Sequence, residues 1–135
     1  MADNCVRTGG VACVIPTYNG ASELPRLLSS WAHQSLQTDL LIVDSGSNDG
    51  IAQIGMAAAT HYRSIEKAQF GHGKTRQMMV DAYPGYEFYI FLTQDCILNG
   101  DAALTELLKP FEIPSVGAVC GRQLPHADAN VFAEH

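Results

Sequence analysis

The sequence predicts an α/β fold: a doubly wound, mostly parallel sheet with helices on both faces. Continuous apolar runs of four or five residues, typical of strands buried on both faces, alternate about four times with helix-like segments. Such alternation indicates parallel strands joined by right-handed helical crossovers. Three of these strands also end in polar tips, which start at Thr17, Asp44 and Thr93 and which a parallel sheet brings to one edge.

The first half of the chain contains two predicted strands, over residues 11–15 and 40–43, and two predicted helices. The first helix is indicated by apolar residues at the i, i+3, i+4 and i+7 positions, which are Leu24, Leu27, Leu28 and Trp31. Ser22 is its expected N-cap, since a serine hydroxyl can accept a hydrogen bond from a free backbone N–H. A weaker helix is predicted over residues 51–59, which include Gly55.

The second half repeats this alternation with shorter signals. The predicted elements are a short strand over 62–65, a helix over 74–83, a buried strand over 88–92, a helix capped by Asn99 or Asp101 and ending near Pro110, and a last strand over 116–120. Residues 1–10 are expected to be a leader, residues 11–122 the α/β domain, and residues 123–135 the start of a further segment.

The composition indicates one globular domain that does not bind nucleic acid. The net charge is −6, with 8 basic and 14 acidic residues and no cluster of Lys and Arg. No apolar run approaches the roughly 18 residues that would span a bilayer. The four cysteines are widely spaced, without a C-x-x-C pair. A reduced, cytoplasmic location is therefore expected.

Asp44 is the first candidate binding residue. It ends an apolar strand, and the small or turn-forming residues 45–50 that follow leave room for a ligand at the carboxyl edge of the sheet. A structural role, in which the carboxylate caps a helix or braces a turn, is the open alternative. No G-x-G-x-x-G motif or P-loop pattern is present, and a receiver domain would need an acidic pair where the chain has Pro16–Thr17–Tyr18.

Two further residues are candidates for binding a phosphorylated ligand. Asp95 follows an apolar strand, and one carboxylate suffices for a divalent cation when phosphates supply the other ligands. Arg76 lies in the first turn of a predicted helix, where a bound anion would offset its unfavourable position in the helix dipole. A helix cap for Asp95 and a solvated side chain for Arg76 are the alternatives.

Taken together, the motifs resemble those of glycosyltransferase family 2, and most closely those of bacterial rhamnosyltransferases. The resemblance extends from Val11 to about His135. The segments that carry it are VIPTYNG at 14–20, IVDSGSNDG at 42–50, HG at 72–73 with Arg76, LTQD at 92–95 and GRQLP at 121–125. It implies a GT-A fold and an inverting transfer of a sugar, such as rhamnose, from a nucleotide diphosphate sugar to an acceptor hydroxyl in bacterial polysaccharide synthesis.

The resemblance also implies roles for individual residues. Thr17 and Tyr18 would flank the nucleobase, and Asp44 would hydrogen-bond to it. Asp95 would bind Mg²⁺ or Mn²⁺ on the diphosphate; because Thr93 replaces the first Asp of the D-x-D signature, the metal should bind weakly without the sugar nucleotide. The other donor-site residues that it implies are Asn19, Ser45, Gly46, Arg76, Thr93 and Gln94.

The donor expected from the resemblance is dTDP-rhamnose or a UDP-sugar, and the acceptor is a saccharide or a lipid-linked saccharide. Peripheral membrane association of a full-length enzyme is compatible with such an acceptor. The catalytic base of the family lies downstream of the metal Asp, and Asp128, Glu134 and His135 are the only late candidates here. We therefore expect a donor-binding part of a longer enzyme, with the base beyond His135. The alternative is a non-catalytic nucleotide-sugar-binding or assembly module.

Overall fold

The computed structural model describes residues 9–125. Within this range the strands are Val11–Thr17 (β1), Asp39–Asp44 (β2), His61–Ser64 (β3) and Phe88–Phe91 (β4). The α-helices described are Leu24–Ala32 (α1), Ile51–Ala58 (α2), His72–Ala82 (α3) and Ala103–Leu108 (α4). Two 3₁₀ helices, Lys67–Gln69 and Lys109–Glu112, follow β3 and α4 respectively.

The four described strands form one sheet in the order β3-β2-β1-β4, and each pair of neighbours is parallel. The chain runs outward from β1 through β2 to β3 and then crosses to the other side of β1 to form β4. The strand order therefore reverses between β1 and β4, and open α/β sheets bind ligands at such a switch point, outside the carboxyl ends of the strands. The predicted doubly wound, parallel sheet is confirmed.

Helices cover both faces of the sheet, as predicted. Side chains alternate along β1, so that Cys13 and Ile15 pack in one core with residues of α1, α2 and α4. Ala12 and Val14 face the opposite way and pack in a second core with Met79 of α3. The side chains of β2 alternate in the same way between the two cores. Because both faces of the central strands are buried, both strands are continuous apolar runs.

The helices lie where the periodicity predicts them, and α2 begins at Ile51 as predicted, but the starts of the other three differ. The N-cap of α1 is Glu23 and not Ser22, and that of α4 is Ala102 and not Asn99 or Asp101; neither makes a side-chain capping hydrogen bond. Helix α3 begins two residues before the prediction, at His72. Tertiary packing of the apolar faces, and not local capping, therefore sets where these helices begin.

The predicted last strand over 116–120 is wrong. These residues form no ladder with any strand in the described part of the chain, and most of them are exposed. A short apolar run has no periodicity that distinguishes a strand from an extended connection, and Gly117 weakens a strand further. Strand β4 is also less buried than predicted, because it lies at an edge of the described sheet and only Ile90 is fully buried.

In the part of the chain that the structure describes, no helix has the length and apolar character that crossing a membrane requires.

The buried Cys13 thiol makes a prediction about pH and stability. Burial raises the pKa of Cys13 from 9.0 to about 11. Because the pKa is higher in the folded state than in the unfolded state, folding favours the protonated thiol. The contribution of the thiol to the free energy of unfolding is therefore complete below pH 9 and falls by about 2–3 kcal/mol as pH rises through 11. Replacing Cys13 with Ala should remove this part of the pH dependence. Chemical denaturation between pH 8 and 11 measures it, and parallel profiles for the two proteins would contradict the prediction.

Candidate functional site

The tips of β1 and β2 are joined at the carboxyl edge of the sheet by a buried hydrogen bond. Thr17 and Asp44 are opposite each other in the ladder, and Thr17 Oγ1 donates to Asp44 Oδ1 at 2.8 Å. Ser45 adds two bonds, because its backbone N–H and its hydroxyl both donate to the Thr17 carbonyl oxygen, at 3.0 and 3.1 Å. Two of the sequence-predicted tips are therefore in direct contact.

Asp44 is only 2% exposed, and its carboxylate accepts hydrogen bonds from its own chain. Besides Thr17, the donors are the Ser47 backbone N–H at 2.9 Å and the Ser47 hydroxyl at 2.6 Å. Burial, and then the Asp44 charge, raise the pKa of Tyr62. The contacts are those of a turn-bracing carboxylate. A carboxylate has about four acceptor positions, so one remains for a ligand, and the predicted base contact stays a prediction.

The loop after Asp44 is tied to the loop after β1 by three more hydrogen bonds. Ser47 Oγ accepts from the Asn19 backbone N–H at 2.8 Å, and Asn19 Oδ1 accepts from the Asn48 N–H at 3.0 Å. Asp49 Oδ2 accepts from the Ala21 N–H at 2.9 Å. Asn19 adopts a positive φ of 46°, which Asn tolerates better than most residues. Asn19 thus braces the two loops.

Gln94, in the tip after β4, joins the third tip to the first. Its Oε1 accepts from the Tyr18 backbone N–H at 2.9 Å, and its Nε2 donates to the Tyr18 carbonyl oxygen at 3.1 Å and to Glu23 Oε2 at 3.1 Å. The carboxamide passes directly over Gly20, where any Cβ would overlap it. All three predicted tips therefore converge at the switch point between β1 and β4.

The converging tips border a cleft of about 280 Å³. Six of the predicted site residues line it: Thr17, Tyr18, Ser45, Arg76, Thr93 and Gln94. The other four predicted residues, Asn19, Asp44, Gly46 and Asp95, are not among its lining residues. Four lining residues were not among the predicted ones: Pro16, Lys67, Phe70 and His72. The structure thus brings most of the predicted donor site together.

One wall of this cleft is cationic. Its two cations are Lys67, from the 3₁₀ helix after β3, and Arg76, from α3; His72 in the first turn of α3 lies beside them in the lining. Arg76 is oriented by a hydrogen bond of 2.7 Å from its Nη1 to the His72 carbonyl oxygen. No carboxylate is among the described lining residues, although the chain carries a net charge of −6. The cleft is therefore suited to an anionic ligand.

Asp95 is exposed in a tight turn closed by a hydrogen bond from the Cys96 N–H to the Thr93 carbonyl oxygen at 3.0 Å. Burial, and then the charge of Asp95, raise the pKa of the Cys96 thiol. Across residues 9–125, no group of three or more His, Cys, Asp or Glu side chains could hold a metal ion. An exposed single carboxylate next to the cleft fits a metal whose remaining ligands are phosphate and water oxygens.

A second, larger and more open groove lies between β3 and α3. Its volume is about 530 Å³, and its lining residues are Arg63, Lys74, Gln77, Met78, Asp81 and Ala82. None of the predicted site residues lines it. We assign the functional site to the smaller cleft, because only that cleft lies at the switch point and receives the strand tips.

The fold and the cleft define an α/β domain of the kind that binds a ligand at the carboxyl ends of its strands. A family model described as glycosyl transferase family 2 matches residues 12–135, and the chain belongs to this family.

Two relatives named as O-antigen chain rhamnosyltransferases match most of the chain. RfbN of Salmonella typhimurium is 39% identical over 127 residues, which are 93% of this chain and 40% of the relative. WbaN of Salmonella anatum is 38% identical over 124 residues, which are 90% of this chain and 39% of the relative. The chain therefore spans about 40% of the length of these relatives.

Solved structures with a similar fold are of the GT-A class. The mannosyltransferase PcManGT from Pyrobaculum calidifontis, in complex with GDP-Man and Mn²⁺, superposes with a TM-score of 0.67 at 23% identity, over 85% of this chain and 35% of its own. Residues 1–349 of S. aureus TarS in complex with UDP-GlcNAc give a TM-score of 0.64 at 23% identity, over 87% of this chain and 37% of the TarS chain. The expected GT-A fold is confirmed.

The closeness of Gly20 and Gln94 makes a prediction about the strand tips. Replacing Gly20 with Ala should displace the Gln94 carboxamide and lower the free energy of unfolding by about 1–3 kcal/mol, through lost hydrogen bonds to Tyr18. Little further loss is expected when Gly20→Ala is made in a Gln94→Ala background. Denaturant titration of the four proteins measures this coupling.

Gly73→Ala is the matched control for Gly20→Ala. Gly73 lies in α3 with open space around it, so alanine there should leave stability unchanged or raise it slightly. Additive losses in the Gly20 and Gln94 double variant would show that Gln94 does not connect the tips.

Proposed function

We propose that this chain is the donor-binding part of a glycosyltransferase that transfers a sugar from a nucleotide diphosphate to an acceptor hydroxyl in bacterial polysaccharide synthesis. The observation that carries the proposal is the cationic cleft at the switch point, lined by residues of the segments that resemble the family's motifs. The names of the relatives support rhamnose as the sugar and an O-antigen saccharide, free or lipid-linked, as the acceptor.

The nucleoside would bind at the tips of β1 and β2. In our proposal, Thr17 and Tyr18 flank the base, Asp44 accepts a hydrogen bond from it through its remaining acceptor position, Ser45 lines its path, and Gly46 follows Ser45 in the same loop. The shared hydrogen bonds between these tips support the assignment, because they hold the candidate contacts rigidly before a ligand arrives. A dTDP-sugar or a UDP-sugar is the proposed donor.

The diphosphate would bind toward α3 and the β4 tip. Arg76 is the proposed anion contact, since its planar guanidinium can donate two hydrogen bonds to one phosphate. Asp95 is the proposed ligand of a divalent cation, Mg²⁺ or Mn²⁺; the similar structure of PcManGT, which contains GDP-Man and Mn²⁺, supports a metal in general. When bound, such a cation neutralises charge on the departing diphosphate.

The proposed reaction is an inverting displacement. The acceptor oxygen forms a bond to the anomeric carbon while the bond from that carbon to the diphosphate oxygen breaks, and a base takes the hydroxyl proton. The late candidates Asp128, Glu134 and His135 lie outside the described residues. We assign the base to no residue of the described range.

The role of Arg76 predicts a loss of nucleotide affinity on substitution. Arg76→Ala should weaken UDP and dTDP binding by about 10-fold or more, because a hydrogen bond to a charged group contributes about 1.5–3 kcal/mol. Lys74→Ala is the matched control: it removes a cation from the same end of α3, but Lys74 lines the other groove. Isothermal titration calorimetry measures both. No heat with the wild-type chain, or equal losses in the two variants, would contradict the proposal.

The role of Asp95 predicts a loss of metal dependence. In the wild-type chain, Mg²⁺ or Mn²⁺ should strengthen UDP and dTDP binding and should bind only weakly without nucleotide. Asp95→Asn should abolish most of this enhancement while leaving metal-free affinity nearly unchanged. Asp81→Asn, an isosteric change on the exposed side of α3, is the control and should retain the enhancement. Equal enhancement in all three proteins would refute the assignment.

A further inference from the structure

Lys67 contacts Tyr18 across the cleft, and the proposed donor site above uses its charge but assigns it no contact with the nucleotide. Lys67 Nζ donates a hydrogen bond to the Tyr18 hydroxyl oxygen at 2.9 Å and lies 4.6 Å from the centroid of the Tyr18 ring. The two residues are 49 positions apart in the sequence and come from different loops. The contact therefore depends on the fold and not on local geometry.

The backbone on the Lys67 side of this contact is held by local structure. The 3₁₀ helix Lys67–Gln69 begins with a capping box, in which the side chain of each of Glu66 and Gln69 accepts from the backbone of the other; the Glu66 N–H to Gln69 Oε1 bond is 2.9 Å. Gly46 approaches the same turn closely, and a Cβ there would lie 3.6 Å from the Lys67 backbone N. The base of the lysine side chain is thus fixed next to the cleft.

On the other side, Tyr18 is held at both ends of the residue. Gln94 binds its backbone N–H and carbonyl oxygen, and Lys67 binds its hydroxyl. The ring itself is 39% exposed, so packing alone does not determine its rotamer. The Lys67 hydrogen bond is the specific contact that restricts the ring.

We propose that Lys67 is a positioning residue that fixes the Tyr18 ring in the orientation in which it packs against the nucleobase of the donor. This inference rests on the proposed function, since the contact between Tyr18 and the base is part of it. Fixing the ring before binding removes an ordering cost from nucleotide association. Lys67 thereby acts on the base through Tyr18, whereas Arg76 acts on the diphosphate.

The experiment compares a neutral with a charged ligand. Uridine and UDP are titrated into the wild-type chain, Lys67→Met, Tyr18→Phe and the double variant, with NMR used for uridine and calorimetry for UDP. Each single variant should weaken uridine binding by about 3- to 10-fold, because each removes the hydrogen bond between Lys67 and the Tyr18 hydroxyl. Lys67→Met should weaken UDP by at least this factor, since it also removes a cation from the cleft. The double variant should bind uridine no more weakly than either single variant. Lys67→Arg, which retains a donor, should restore most of the affinity.

Lys74→Met is the control, because it removes a cation that lines the other groove and should change neither affinity. A loss of UDP affinity without a loss of uridine affinity in Lys67→Met would overturn the inference and assign Lys67 to the diphosphate. Additive losses in the double variant, or unchanged affinities in Lys67→Met, would also overturn it. Failure of the wild-type chain to bind UDP is a different result, which refutes the proposed function itself and the inference with it.

Discussion

The buried carboxylate of Asp44 is the constraint on which the candidate site depends. A charge that is 2% exposed is tolerated only when it is hydrogen-bonded, and its donors here are Thr17 and Ser47. Thr17 belongs to the end of β1 and Ser47 to the loop after β2. The hydrogen bonds to Asp44 therefore fix the tip of β1 against the tip of β2. They thereby also set the positions of Tyr18 and Ser45, which follow these tips and line the cleft.

The same residue combines a structural with a proposed binding role. The sequence leaves open whether Asp44 braces a turn or binds a ligand, and the structure shows that its internal hydrogen bonds leave one acceptor position. A carboxylate held in this way needs no reorganisation when a hydrogen-bond donor of the ligand approaches it. Gln94 has a comparable arrangement on the β4 side, where its carboxamide bonds to Tyr18 and occupies the space that a Cβ at residue 20 would need.

Much of the fold could be predicted from the sequence because burial on two faces leaves an unambiguous signal. The apolar runs of β1 and β2 and the heptad-like spacing in α1 are such signals. The run at 116–120 is apolar like the buried strands, but most of its residues are exposed. Whether such a run forms a strand depends on a partner strand edge, which the local sequence does not specify. Helix starts were misplaced for a related reason, because tertiary packing overrides weak caps.

The candidate site was predictable where a strand ends in a polar tip, as at Thr17 and Thr93. Lys67 and Phe70 are not identified from the sequence, and His72 is named only within a motif, because these residues reach the cleft from the turn and helix that follow the short strand β3. The capping pair of Glu66 and Gln69 was a local signal for that turn. It could have indicated an ordered segment there, but not which cleft the segment lines.

The most direct test of the central claim, that the strand tips form one nucleotide site, is an NMR titration of the ¹⁵N-labelled chain with UDP and Mg²⁺. We predict that backbone amide shifts concentrate at Tyr18, Ser45, Arg76 and Thr93, which are far apart in the sequence and meet only at the cleft. Shifts concentrated instead at Arg63, Lys74 and Asp81 of the larger groove, or no saturable shifts, would contradict it.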